Sequence, residues 1–282
     1  MEGIMMKGEK KTALAMRLPT GEIKIETQEN KAPSKWTKIP LIRGVFVFVA
    51  SLVGGTKILM RSAEILEEYD DETYEPGRFE AWIEKKFGSK AVWNFMLYSS
   101  VVIALAFSVG VFIILPTGVV NLLKLVTDSV FWLNFAEGFV RIALFVLYAW
   151  GISFMKEIKT VFQYHGAEHK TLFCYEAGLE LTAQNARNMS RLHPRCGTSF
   201  IFIVLIVSIL VMCVIPFTVT WKRIVAGLVL LPFVVGISYE FIRLAGNHDN
   251  AFTRILSAPG LALQKITTRE PDDEQLEVAL TA

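Results

Sequence analysis

Long apolar runs separated by charged segments are the main pattern of this chain. Four runs, 93–115, 138–155, 198–217 and 224–243, contain few charged residues, and the first and third contain none. Each is about 20 residues long, which is enough to cross roughly 30 Å of hydrocarbon as a helix. One such run alone is compatible with a buried helix of a soluble protein. Four in one chain predict a polytopic helical membrane protein.

A fifth apolar run, 41–60, has a different character. Arg43 and Lys57 lie near its ends, and the pair Gly54-Gly55 interrupts it. Its length permits a crossing, whereas the charges and the glycines favour an interfacial or re-entrant helix. We expect the interfacial or re-entrant arrangement.

Lysine and arginine are unevenly distributed between the runs. They are frequent before residue 93, in the loop 156–197 and after residue 243, and scarce in the two remaining loops. Positively charged loops stay cytoplasmic, so both termini and the long middle loop are predicted on the cytoplasmic side of a bacterial cell membrane. A crossing by 41–60 would move the N-terminus outside, which is a second argument against it.

The polar N-terminal region predicts a small β element. Residues 12–27 alternate in polarity around Pro19-Thr20-Gly21, which indicates a hairpin, and 3–8 could add an extended piece. The predicted fold class is mainly α: about four transmembrane helices, one interfacial or re-entrant helix and this N-terminal β-hairpin element. The predicted regions are 1–38 (hairpin), 39–92 (interfacial helix and a charged segment with an amphipathic helix from Arg78 to Ala91), 93–155 (first helix pair), 156–197 (cytoplasmic loop), 198–243 (second helix pair) and 244–282 (cytoplasmic tail with a terminal helix).

Overall composition excludes some functions. The chain has 282 residues and a formal net charge of +2, so it is no polycation and nucleic-acid binding gains no support. Its three cysteines cannot form a disulfide framework. The bilayer is the expected partner, other membrane proteins are a further possibility, and the oligomeric state is left open.

The strongest chemical motif is His165-Gly166-Ala167-Glu168-His169. The segment Met155 to Ala177 is compatible with a helix, with Gly178 as its stop, and residues four apart share a helix face. Two imidazoles could therefore bind one metal ion, zinc by ligand type, with the carboxylate of Glu168 as general base. The alternative is a pair of satisfied polar residues on an amphipathic helix.

A second cluster, His193-Pro194-Arg195-Cys196-Gly197-Thr198, precedes the third strong run. His193 is the first choice as third metal ligand, Cys196 is also able to bind zinc, and Glu240 is the rival. The alternatives are a helix start with Thr198 as N-cap and Arg195 at the headgroups, and an ion pair of Glu240 with Arg243. His248 is interpreted as a solvated loop residue.

Four stretches of this chain resemble the YqhQ-like family of uncharacterised bacterial multi-pass membrane proteins, predicted to be metal-dependent enzymes. They are Glu2 to Gly8 (EGIMMKG), Tyr164 to Lys170 (YHGAEHK), His193 to Phe200 (HPRCGTSF) and Thr267 to Asp273 (TTREPDD). The resemblance covers nearly the whole chain. It implies a membrane location and a joint role for His165, His169 and His193.

Two functions are expected from these observations. The first is a metal-dependent hydrolase at the cytoplasmic membrane face, in which Glu168 is the general base and Arg195 steadies an anionic intermediate. The second is a non-enzymatic membrane factor for protein insertion, folding or complex assembly, with a structural metal or none. A closed site with four protein ligands would favour the second.

Overall fold

The protein is mainly helical in the computed structural model, which describes residues 3–8, 10–30, 35–69, 89–215, 219–248 and 250–282. Most of the predicted amphipathic helix from Arg78 to Ala91 lies outside these residues. The strands are β1 (Gly3–Lys7), β2 (Lys11–Arg17) and β3 (Ile23–Glu29). The α-helices are α1 (Ile42–Glu67), α2 (Ser89–Val109), α3 (Leu115–Leu123), α4 (Val130–Ile152), α5 (Lys156–Glu176), α6 (Ala183–Arg187), α7 (Gly197–Val214), α8 (Thr220–Asn247), α9 (Ala251–Thr267) and α10 (Asp273–Thr281).

Five helical segments of the described chain are long and apolar enough to cross a bilayer. They are Ile42–Leu66, Val102–Leu123, Val130–Ile152, Gly197–Val214 and Val225–Asn247. The second runs from α2 into α3 through a π-helical turn, Gly110–Ile114. Each of the four predicted spans overlaps one of them. The prediction of a polytopic helical membrane protein is therefore confirmed.

Helix α1 runs without a break through Gly54 and Gly55. A Cβ atom at either glycine would meet no neighbour within 4 Å, so neither glycine serves a close packing contact. The predicted break at this pair is therefore wrong. Continuous hydrogen bonding compensates the low helix propensity of glycine here, which is only about 1 kcal/mol per residue relative to alanine.

The N-terminal element is a three-stranded antiparallel sheet in the order β1-β2-β3. Strands β2 and β3 form the predicted hairpin, with Arg17 opposite Ile23, and Gly21 in its turn has a φ of 88°. A positive φ is readily adopted by glycine because it lacks a Cβ atom. The extended piece expected near the N-terminus is β1, which pairs with β2 along Gly3–Lys7.

A compact domain outside the apolar spans joins the two ends of the chain. Its core contains buried residues of the sheet, α5, α6 and α10: Ile4, Ala15, Tyr164, Ala167, Cys174, Ala186, Leu276, Val278 and Ala279. Burial of such apolar side chains is the main favourable term for the association of these elements. Helix α5 is central in this domain, because both the sheet and the C-terminal helix pack on it.

The C-terminal tail contains two helices where one was expected. Helix α10 begins after a capping box formed by Asp272 and Gln275, which agrees with the prediction of a terminal helix. Helix α9 was not predicted, although Asn250 and Thr253 form a second capping box at its start. It packs closely on α7, since a Cβ atom at Gly260 would lie 2.6 Å from Cβ of Ser199.

Candidate metal centre

Helix α5 carries both histidines of the central motif, as predicted. It ends in a Schellman motif at Gly178, whose φ is 65°: Leu179 N–H donates to Cys174 O and Gly178 N–H to Tyr175 O. The confirmed helix sets His165 and His169 one turn apart on one face, with ring centroids separated by 4.4 Å.

Both imidazoles are oriented by backbone carbonyls. Nδ1 of His165 lies 2.9 Å from the carbonyl oxygen of Thr267, and Nδ1 of His169 lies 2.6 Å from that of Arg191. Because a carbonyl only accepts hydrogen bonds, each Nδ1 is the protonated nitrogen. In a neutral ring the lone pair is therefore on Nε2, whereas a protonated ring also donates from Nε2. This arrangement is typical of histidines that bind a metal through Nε2.

Cys196 completes a group of three potential ligand atoms. Its Sγ lies 3.0 Å from Nε2 of His165, and the donor atoms of His165, His169 and Cys196 all lie within 4.8 Å of one another. Cys196 is also the N-cap of α7, where Sγ accepts a hydrogen bond from Thr198 N–H at 3.4 Å. The prediction of Thr198 as N-cap is therefore wrong by two residues.

The cluster changes the acidity of its members. Burial alone would raise the pKa of the Cys196 thiol, but hydrogen bonds from His165 and His169 outweigh it and lower this pKa to about 5. Burial likewise opposes the charged form of His165, yet the hydrogen bond and charge of Cys196 leave the pKa of its imidazole raised. The sulfur is therefore favoured as a thiolate, the form that binds metals.

Glu168, which immediately precedes His169 on α5, lies beside the three potential ligands. It lines a cavity of about 840 Å³ together with His165, His169 and Cys196. Burial raises the pKa of its carboxyl group, although the nearby imidazoles act in the opposite direction. A carboxylate with a raised pKa is a stronger proton acceptor than an ordinary one, which suits a group that accepts and returns a proton.

His193, the first choice as third ligand, lies beside the group and outside it. Its ring centroid is 5.6 Å from that of His169. Its Nδ1 accepts a hydrogen bond from Arg195 N–H at 3.2 Å, and its Nε2 lies 3.5 Å from a carboxylate oxygen of Glu176. Nε2 makes no hydrogen bond among the described residues, and His193 is not one of the three converging donors. Burial of the ring lowers its pKa. Cys196 occupies the position expected for His193.

Glu240 and Arg195 have partners of their own. Both carboxylate oxygens of Glu240 accept from Arg43, and Leu41 N–H adds a bond of 3.1 Å, so the structure does not bring Glu240 to the ligand group. Arg43, at the start of α1, replaces the expected partner Arg243. Arg195 lines the cavity, and its guanidinium donates to Glu176.

A buried glutamine that sequence analysis did not single out holds the loop before α7. The side chain of Gln264 accepts from His193 N–H and donates to the carbonyl of His193 and to Ser199 Oγ, each at 2.7 Å. It is fully buried. The capping box at the start of α9 was the only sequence signal for its environment, and nothing in the sequence linked α9 to the loop.

Charged residues fix the same loop from α5 and the tail. Lys170 donates to the carbonyls of Arg187 and Met189 at 2.8 Å each, and its ammonium lies 3.0 Å from Glu270. Arg191 bonds both the carbonyl and the hydroxyl of Thr268. The carbonyls that orient the two imidazoles, those of Thr267 and Arg191, therefore belong to segments that are tied together.

The donor set fits a divalent metal. Zinc binds imidazole nitrogen at about 2.0–2.1 Å and thiolate sulfur at about 2.3 Å, so tetrahedral ligands lie roughly 3.3–3.8 Å apart. Three donors within 4.8 Å reach that spacing by small side-chain adjustments. Two nitrogens and one thiolate are a combination that zinc accepts, and Glu168 or a water molecule could stand at the fourth position.

The fold and the site together define a polytopic membrane protein with a His/Cys cluster next to its apolar spans. Residues 39–282 match the family described as "Protein of unknown function (DUF1385)", and the chain belongs to this family. It is similar to "Uncharacterized protein YqhQ" of Bacillus subtilis (strain 168), with 37% identity over 290 residues, covering 99% of this chain and 88% of the relative. A comparison with solved structures gave no match.

Proposed function

We propose that His165, His169 and Cys196 hold a divalent metal, zinc by donor type, in a hydrolase that acts at the membrane surface. One observation carries this proposal: two Nε2 lone pairs and one Sγ converge while both Nδ1 atoms are fixed on carbonyls. Histidines that are buried only for structural reasons do not need to direct their second nitrogen at the same point as a cysteine sulfur. A divalent cation held there would supply Lewis-acid chemistry and lower the pKa of water to about 7.

The residues of the chain would then carry out an acyl hydrolysis. Glu168 takes a proton from water while the water oxygen bonds to the carbonyl carbon of the substrate. The bond from that carbon to its oxygen or nitrogen leaving group breaks, and Glu168 returns the proton to this group. The products are an acid and an alcohol or amine, so no oxidant or reductant is consumed. Arg195 is near enough to attract an anionic group at the cavity.

The proposed location is the cytoplasmic face of a bacterial cell membrane. The cluster is adjacent to Gly197, where an apolar span begins. Lysine and arginine concentrate in the segments on this side of the spans, which supports a cytoplasmic orientation.

Metal analysis of the purified full-length protein tests the proposal. We expect about one zinc per wild-type chain and near-zero zinc in His169→Ala and Cys196→Ser. A site with three protein ligands loses most of its zinc affinity when one of them is removed. His248→Ala is the matched control, since His248 is exposed and its imidazole contacts only the carbonyl of Leu244 among the described hydrogen bonds. Replacement by cobalt should give thiolate charge-transfer absorption in wild type and lose it in Cys196→Ser.

Three results would contradict the proposal. Equal, near-zero zinc in wild type and His169→Ala would show that the cluster does not bind zinc. Hydrolysis that resists chelators but stops on alkylation of Cys196 would assign the thiolate as a nucleophile paired with His165. Bound metal in a closed site with His193 as fourth ligand would favour a structural metal in a non-enzymatic membrane factor.

A further inference from the structure

The cavity at the cluster has one polar end and a long apolar remainder. Its polar end is formed by the metal-site residues and Glu168, and its other walls come largely from apolar residues of α1, α5 and α7. Its volume of about 840 Å³ lies within the range of pockets that bind small organic ligands, about 300–1,000 Å³.

Two walls of the cavity belong to helices with exposed apolar surfaces. Leu52 and Leu59 of α1 are 55% and 59% exposed, and Ile201 of α7 is 44% exposed, although all three line the cavity. They lie on Ile42–Leu66 and Gly197–Val214, both long enough to cross a bilayer. The apolar part of the cavity is therefore open towards lipid.

The cluster lies at the start of an apolar segment of α7 that is long enough to cross a bilayer. Cys196 immediately precedes the apolar span of α7, and Ile201 lies about 7.5 Å from Cys196 along the helix axis at 1.5 Å per residue. Phe48 of α1 and Phe200 of α7, whose centroids are 5.8 Å apart, form the wall between these two levels. An acyl chain that lies along this wall would extend from the cluster into the hydrocarbon of the bilayer.

We infer that the cavity binds a membrane lipid, with an acyl chain between α1 and α7 and its ester or amide carbonyl at the cluster. This inference rests on the proposed function for the reaction, but lipid binding itself depends only on the apolar walls. Exposed apolar side chains facing an apolar solvent and a polar end at its surface fit an amphipathic substrate. A soluble substrate would leave the apolar walls in contact with water, which is unfavourable.

Photo-crosslinking of retained lipid tests the inference. Full-length protein with a benzophenone amino acid at Leu52 is reconstituted in phosphatidylethanolamine–phosphatidylglycerol vesicles, extracted in detergent, washed and irradiated. We expect a lipid adduct at Leu52. The adduct should fall about tenfold in Ser51→Trp, because excluding about two methylenes from an apolar site changes affinity by that factor. Ile201→Trp fills the same cavity from α7 and provides a second variant.

The controls separate this inference from the proposed metal site. A probe at Leu210, which is 60% exposed on the other half of α7, should retain no lipid after extraction. His169→Ala should lose metal yet keep the lipid adduct, so each proposal can fail by itself. Equal adducts at Leu52 and Leu210, no effect of both tryptophan variants, or a peptide in place of lipid at Leu52 would overturn the inference.

Discussion

The sulfur of Cys196 makes two contacts: it caps the start of α7, and it lies next to His165. The same sulfur atom accepts a hydrogen bond from Thr198 N–H and interacts with an imidazole. Both contacts stabilise negative charge on sulfur. The reactivity of this thiol therefore reports directly on the geometry of the cluster.

We expect Cys196 to be alkylated as a thiolate down to about pH 5 in metal-free protein, because that is its pKa. Above this pH the thiolate predominates, and below it the neutral thiol slows the reaction. The measurement is the iodoacetamide rate against pH in a Cys174→Ala, Cys213→Ala variant. His165→Gln should move the midpoint upward, and a wild-type midpoint near 8.5, that of an ordinary cysteine, would contradict the prediction.

Gly166 is required by a close approach between α5 and the tail. A Cβ atom there would lie 2.0 Å from the carbonyl oxygen of Arg269. Gly166→Ala should lower the free energy of unfolding by about 1–3 kcal/mol despite its better helix propensity, because backbone must move. Thermal unfolding in detergent measures this. Gly151→Ala has open space around its Cβ position and should not destabilise.

Among the elements, α5 was the one best predicted from sequence. Its periodicity, the histidine pair and the glycine stop are local signals, and the structure has the helix at Lys156–Glu176. The identity of the third donor was not a local signal. His193 and Cys196 lie three residues apart, and only the packing of Gln264 against His193 decides which of them faces the pair.

Gln264→Met should loosen the loop between α6 and α7. It leaves His193 N–H, His193 O and Ser199 Oγ without their buried partner, and each such group costs about 1–3 kcal/mol. We expect a lower melting temperature and about 10–100-fold weaker metal binding, since Arg191 O, which orients His169, belongs to this loop. Gln184→Met, at an exposed position of α6, is the control. Unchanged melting would disprove the positioning role.

The contact between α1 and α8 includes an ion pair of Arg43 with Glu240, the residue that was the rival candidate for the third metal ligand. Glu240→Gln should leave zinc content unchanged, because Glu240 bonds Arg43 and Leu41. The same change should lower thermal stability, since a half-buried guanidinium loses its charged partner. Loss of zinc in Glu240→Gln, with the protein still folded, would restore Glu240 as a ligand.

At the scale of the whole molecule, the domain outside the apolar spans restricts how the chain can cross the membrane. The sheet and α5 share one hydrophobic core, so they lie on the same side. Between them are three helical segments long enough to span, Ile42–Leu66, Val102–Leu123 and Val130–Ile152. An odd number of crossings would separate the sheet from α5. At least one of the three therefore does not cross.

We expect α1 to be the exception because of the contacts at its two ends. Its first turn pairs with Glu240, about 9 Å along α8 from Gly246, which packs against Arg195 beside the cluster. Its last turns pack on the sheet, where Ile65 joins the cluster of Leu14, Met16 and Leu18. The end of α1 thus contacts the sheet, whereas its start contacts α8 between Gly236 and Glu240, inside the apolar segment. An interfacial helix satisfies these contacts, and its exposed apolar side chains would lie in the adjacent leaflet.

Labelling of single cysteines in intact cells tests this topology, in a background without the native cysteines. Thr73→Cys, after α1, should resist a membrane-impermeant maleimide until the cells are permeabilised, as should Glu180→Cys in the cluster domain. Asp128→Cys, between α3 and α4, should react in intact cells, because α2–α3 and α4 then cross as a pair. Reaction of Thr73→Cys in intact cells would show that α1 crosses. Because the sheet and α5 lie on the same side, either α2–α3 or α4 would then not cross.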